Sequence, residues 1–140
     1  MVLSGCSLLS APQTPIPSTA SEVSGLWVDI GAGHQRATLR LEADGTFTAS
    51  NIPYEVFAYS GSPSFTSTVD WSRTRSLSGT WRLGDGRDGT YPFIDLRIAQ
   101  QSVPTLGTAE MLIDGSGSRM TIETPVGPID DGVMFSFTHN

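Results

Sequence analysis

The stretch from Ala37 to Ala49 does most to restrict how this chain can fold. Ala37, Leu39, Leu41 and Ala43 alternate with Thr38, Arg40 and Glu42, and after Asp44-Gly45 the alternation resumes as Thr46-Phe47-Thr48-Ala49. A period of two sends one set of side chains to a buried face and the other to water, the pattern of a half-buried β-strand. Asp-Gly tolerates the positive φ angles of a two-residue turn, so a hairpin is predicted here. Further strand-like runs are Gly25 to Asp29, Leu77 to Leu83, Phe93 to Ile98, Ala109 to Asp114, Arg119 to Glu123 and Val133 to Thr138. No segment carries a helical period. The spacing predicts an all-β chain, an antiparallel up-and-down meander of about eight strands.

Closing a meander into a barrel removes both unpaired edges, so a small closed barrel is expected. Gly25-Leu26-Trp27 resembles the Gly-x-Trp opening of lipocalin-like barrels, which implies that Trp27 packs across a closed end. The predicted inward face holds Leu39, Leu41, Phe47, Leu77, Trp81, Leu83, Ile94, Leu96, Ile98, Met120, Ile122, Phe135 and Phe137. These side chains are long, and a barrel of this size is just wide enough to be filled by its own residues. Selective small-molecule sites add convergent polar groups to an apolar wall, and none is apparent on this face. A filled core is therefore expected ahead of a cavity, although an apolar ligand needs no polar anchor.

One connection breaks the rhythm. Asn51 to Ser76, between the third and fourth strands, is far longer than a hairpin loop and carries Tyr54, Phe57, Tyr59, Phe65 and Trp71 among Ser, Thr and Gly. Long connections in compact domains are functional or disordered, and this one is too aromatic for a plain linker. A helical turn over 54–59 is expected after Pro53. The segment reads as a plug over an open barrel end, with a lid or recognition loop as the alternative.

Of the 140 residues, 38% are apolar and 16% charged, enough to fold one domain around one core. The formal net charge is -6 and every cation is Arg, so no basic stripe exists to neutralise phosphates and nucleic-acid binding is not expected. A single Cys forms no internal disulfide.

That cysteine lies in Leu3-Ser4-Gly5-Cys6, which resembles the lipobox of bacterial lipoproteins, where the cysteine is acylated. The alternative is an ordinary thiol in a tail. Ser7 to Ser24 is rich in Ser, Pro, Thr and Ala, with Pro12, Pro15 and Pro17 close together, and reads as a flexible tether. The expected organisation is a signal-peptide remnant, lipobox and tether over 1–24, followed by a β-barrel domain over 25–140.

Three further pieces occur in order behind the lipobox: Ala43-Asp44-Gly45-Thr46-Phe47-Thr48-Ala49, Asn51-Ile52-Pro53 and Ser78-Gly79-Thr80-Trp81-Arg82-Leu83. Together they resemble a group of small actinobacterial lipoproteins that have no assigned activity. The resemblance runs from Gly25 to Phe137 and implies a barrel on the outer face of a cell membrane. It carries over no catalytic residue.

The chemistry is short of bases. No Gly-x-Ser-x-Gly elbow occurs, and the two histidines lie in the Gly31-Ala32-Gly33-His34-Gln35 turn and at the penultimate His139, where fraying is expected. One Cys and two distant His do not make a zinc site. Asp85-Gly86-Arg87-Asp88-Gly89 and Asp130-Asp131-Gly132 superficially suggest calcium, but lack the donor spacing and closing Glu of a calcium loop and read as hairpin turns. A pair of catalytic carboxylates from separate strands stays open.

The expected function is therefore a non-enzymatic binding or interaction module, lipid-anchored through Cys6, extracytoplasmic, monomeric, and without cofactor or metal. Candidate contact residues are Tyr54, Phe57, Tyr59, Phe65 and Trp71 of the long connection, since exposed aromatics give large contact area at low entropic cost. Arg73, Arg75 and Arg82 are candidates for an acidic partner. The alternative is a lipocalin-like carrier of an apolar small molecule, with Trp27 and Trp81 in the wall and the long connection as lid.

Overall fold

The computed structural model describes residues 20–30, 37–84, 92–99, 107–115 and 117–139. Eight strands follow a short helix α1 (Ala20–Val23): β1 (Gly25–Asp29), β2 (Thr38–Leu41), β3 (Thr46–Pro53), β4 (Thr74–Gly84), β5 (Phe93–Ile98), β6 (Thr108–Asp114), β7 (Thr121–Pro125) and β8 (Met134–His139). Each pairs antiparallel with the next. The ring closes where β1 meets β8 through Trp27↔His139, Val28↔Thr138 and Asp29↔Phe137. The meander and the closed barrel are as the alternation predicts.

The interior is made by that same alternation. Twelve of the thirteen residues predicted to point inward are buried, and the thirteenth, Leu83, is partly buried against them. Trp27, Ala37, Ala49, Met111 and Ile113 add to the inner rows, and against expectation two polar side chains are buried there as well: Thr124, and Asp29, whose carboxylate accepts the Ala37 amide. Some boundaries differ from expectation. Ala43 is exposed in the turn rather than inward, and Gly117–Arg119 forms a single 3-10 turn, so β7 begins at Thr121 instead of Arg119. The strands flanking the long connection reach Pro53 and start at Thr74, which shortens the connection to 54–73.

Alternating strand directions put the connections after β1, β3, β5 and β7 at one end, and α1 with the other connections at the opposite end. The α1 end is closed. Val23 is buried, and its carbonyl accepts the Trp27 Nε1–H at 2.8 Å. The imidazole of His139 stacks on Trp27 with ring centroids 4.4 Å apart, and its Nε2 lies 3.1 Å from the Ser24 carbonyl oxygen. Trp81 Nε1–H donates to the Glu42 carbonyl at 2.8 Å. Trp27 thus packs across a closed end as expected, whereas His139 does not fray: strand pairing and the indole face hold it. Residues Ala20 to Ser24, assigned above to the tether, belong to the folded unit.

Gly79 marks a close approach of two strands. A Cβ built there would lie 1.9 Å from the Arg97 carbonyl oxygen, so β4 and β5 approach as only glycine allows, and Phe47 stands opposite it in register.

Candidate functional site

The end opposite α1 is covered by residues 54–73, a strap that begins with a bend in β3. The register with β4 shifts between Ala49 and Ile52, where Asn51 adopts φ 55°, a left-handed conformation that asparagine tolerates. Both Ile52 and Pro53 are consequently buried, and the chain turns across the barrel mouth. It forms no helix over 54–59. Val56 N–H donates to the Pro53 carbonyl at 3.0 Å in a turn, and Val56 then bridges to Val126, beyond β7. In a ring of eight the β3–β4 and β7–β8 connections lie across from one another, so this bridge spans the mouth. Phe57 follows at φ 66°, a strained conformation for a bulky residue, with its side chain buried in the core.

The outgoing and returning limbs are tied by polar contacts. The buried Glu55 carboxylate accepts the Asp70 amide at 3.0 Å, and Tyr54 N–H donates to the Arg73 carbonyl at 3.1 Å. Arg75 Nη2 donates to the carbonyls of Tyr54 and Val56 at 3.4 and 3.3 Å, and the guanidinium carbons of Arg73 and Arg75 lie 4.8 and 4.9 Å from the Tyr54 ring centroid. Burial lowers the pKa of Arg75, against which the charges of Tyr54 and Glu55 act. Asp70 accepts from the Ser72 hydroxyl at 2.6 Å and the Ser72 amide at 3.0 Å, and these bonds hold its carboxyl below the usual value. The returning limb rests on Gly127, where a Cβ would meet Thr66 and Ser67 backbone atoms at 2.5 and 2.6 Å.

The aromatic candidates separate by location. Phe57 is a core residue. Tyr59, 51% exposed, and Phe65 line a hollow of about 330 Å³ with Ala109, Glu110, Pro125 and Ile129, and the core residue Phe57 borders the same hollow. Trp71 lines a second, of about 380 Å³, with Ile30, Val69, Met134 and Phe135, its ring centroid 5.9 Å from that of Phe135. Tyr54 is occupied by the two arginines. Trp27 and Trp81 are buried at the α1 end, away from the strap. The hollow that Trp81 borders, about 350 Å³, is shared with Thr80, Arg82, Asp95 and Arg97 and opens on the outer wall.

The arginine candidates are engaged within the chain: Arg73 and Arg75 on the strap, and Arg82 with Asp95 at 3.0 Å across β4 and β5. Cys6, Ser7 to Thr19, His34 and Asp85 to Gly89 lie outside the described residues. Asp130 and Asp131 fall in a 3-10 turn, Ile129–Asp131, closed by a left-handed Gly132, within the hairpin connection from β7 to β8. Among the described residues no group of three His, Cys, Asp or Glu is placed to hold a metal, and no helix is long and apolar enough to cross a membrane.

Sequence reasoning missed where the exposed apolar side chains gather. Of the six large ones exposed among the described residues, Ile30, Tyr59, Ile129, Val133 and Met134 are at the strap end, and only Leu112 is on the wall. The available signal was Ile129, an aliphatic residue set between Pro128 and two aspartates inside a turn. Fold and site together define a closed, eight-stranded antiparallel barrel with one end sealed by a helix and the other crossed by a strap flanked by two shallow apolar hollows. No protein-family model, curated protein or solved structure matches this chain.

Proposed function

We propose that this protein is a non-enzymatic binding module of a bacterial cell envelope, anchored on the outer face of the membrane by acyl chains on Cys6 and binding its partner through the strap end of the barrel. The observation that carries the reading is the crowding of exposed apolar residues at the end opposite α1, since clustered exposed apolar surface marks interaction sites. The described chain starts at α1, so a tether leading from Cys6 would join the barrel at the end away from the strap and leave the strap free to meet a partner. One acyl chain binds a bilayer marginally and two or more hold it stably, as a lipoprotein anchor requires.

A carrier of an apolar molecule inside the barrel has less support. The inner rows are occupied by long side chains, and the hollows beside Tyr59, Trp71 and Trp81 open to the outside.

Cys6→Ala is expected to move the protein from the membrane to the soluble fraction, while a photo-crosslinking side chain at position 59 captures a partner that the same probe at Thr48, on the wall of β3, does not. Unchanged fractionation overturns the anchor. Equal capture at both positions, or at neither, overturns the strap end as the binding surface.

A further inference from the structure

The strap-end hollow continues onto an outer wall with an uneven charge. Strand register sets Leu112 opposite Glu123, Glu123 opposite Ser136, Pro125 opposite Met134 and Asp114 opposite Thr121, all on the outward side of β6, β7 and β8. Leu112 is 42% exposed, Met134 41% and Ile129 79%, so apolar side chains stand in water between carboxylates. From residue 98 onward the chain carries Glu110, Asp114, Glu123, Asp130 and Asp131 against one arginine, Arg119, which lies at the α1 end. On the neighbouring strand β5, Arg97 stands opposite Thr108 of β6.

We infer that this β6–β8 wall and the adjoining hollow dock an extended basic peptide segment of a partner protein, with apolar side chains alternating with its cations. The inference rests on the strap end being the binding end and names the partner chemistry. A closed barrel offers no free edge, so the peptide cannot add as another strand and must be read through side chains. The hollow between Tyr59, Pro125 and Ile129 receives an apolar side chain, and Leu112 receives the next along the wall. Glu110, Asp130 and Asp131 around them attract and orient the cations, which raises the association rate and selects against acidic segments. An anionic bilayer carries the wrong charge for this wall.

The test is fluorescence anisotropy of the full chain with three short labelled peptides, alternating Arg/Leu, Glu/Leu and Arg/Gly. The Arg/Leu peptide is expected to bind, and the other two about tenfold more weakly or not at all. Ile129→Ser and Leu112→Ser, both at exposed positions that leave the core intact, each weaken Arg/Leu binding severalfold, and Glu110→Arg reverses the preference between Arg/Leu and Glu/Leu. Thr48→Glu on the β3 wall leaves the affinity unchanged. Equal affinity for Arg/Leu and Arg/Gly, indifference to Ile129→Ser and Leu112→Ser, no peptide binding, or binding to phosphatidylglycerol vesicles in its place overturns the inference. Partner capture at position 59 without affinity for the Arg/Leu peptide overturns the partner chemistry alone and leaves the assignment of the strap end standing.

Discussion

At Gly79 the fold depends on a missing side chain. The Arg97 carbonyl occupies the space a Cβ would take, and because this obstacle is backbone, relief requires β4 and β5 to separate. Gly79→Ala is expected to destabilise the barrel by about 3 kcal/mol, the upper part of the range for overpacked cores, read as a shift in the urea midpoint. A change within a few tenths of a kcal/mol would show that the strands part freely. At Asp44 the effect is electrostatic. Its carboxylate accepts the Thr46 hydroxyl at 2.7 Å and the Thr46 amide at 3.0 Å, and these bonds lower its pKa from the ordinary 3.8. A pKa lowered on folding adds stability above the unfolded value, and that stability is lost as pH falls through the folded value. The thermal midpoint of Asp44→Asn should therefore lie furthest below that of the unmodified protein near neutrality, with the gap closing below about pH 4. A gap independent of pH would mean that the charge of the carboxylate adds nothing to the Thr46 contacts.

The strap is an element held by tertiary contacts rather than by its own ladder. Its returning limb meets Gly127 at φ 71°, so Gly127→Ala combines backbone strain with a clash against Thr66 and Ser67. Amide exchange across 62–73 is expected to speed up in this variant while β4 and β5 keep their protection; uniform acceleration would mean that strap and barrel unfold as one unit. The contrast between strap and barrel also explains what could be read in advance. Leu39, Phe47, Trp81, Ile94 and Ile122 were assignable because alternation is a local signal, repeated within each strand and interrupted by turn residues. The strap's path was not, because Val56 pairs with Val126 and Arg75 reaches back to the Tyr54 and Val56 carbonyls, contacts that no short window of sequence contains. Composition marked the segment as aromatic without distinguishing Phe57, which enters the core, from Tyr59, which stays in water. The stacking that holds His139 in place is hidden for the same reason, since its partner Trp27 lies at the other end of the domain.

For the whole molecule, the seam between β1 and β8 is where the ring closes without a covalent turn. It holds three registered pairs, against six between β4 and β5. Amides of Val28 and Thr138 are expected to exchange faster than those of Arg82 and Asp95, and the reverse order would place the weak point of the barrel elsewhere. At the foot of this seam His139 Nε2 reaches the Ser24 carbonyl, so the described chain begins and ends at the same rim. The starting strand is thus an accident of connectivity. Splicing the two ends together with a short linker and cutting at the exposed Asp44-Gly45 turn would give a circular permutant that starts on β3, ends on β2 and retains all eight strand pairings.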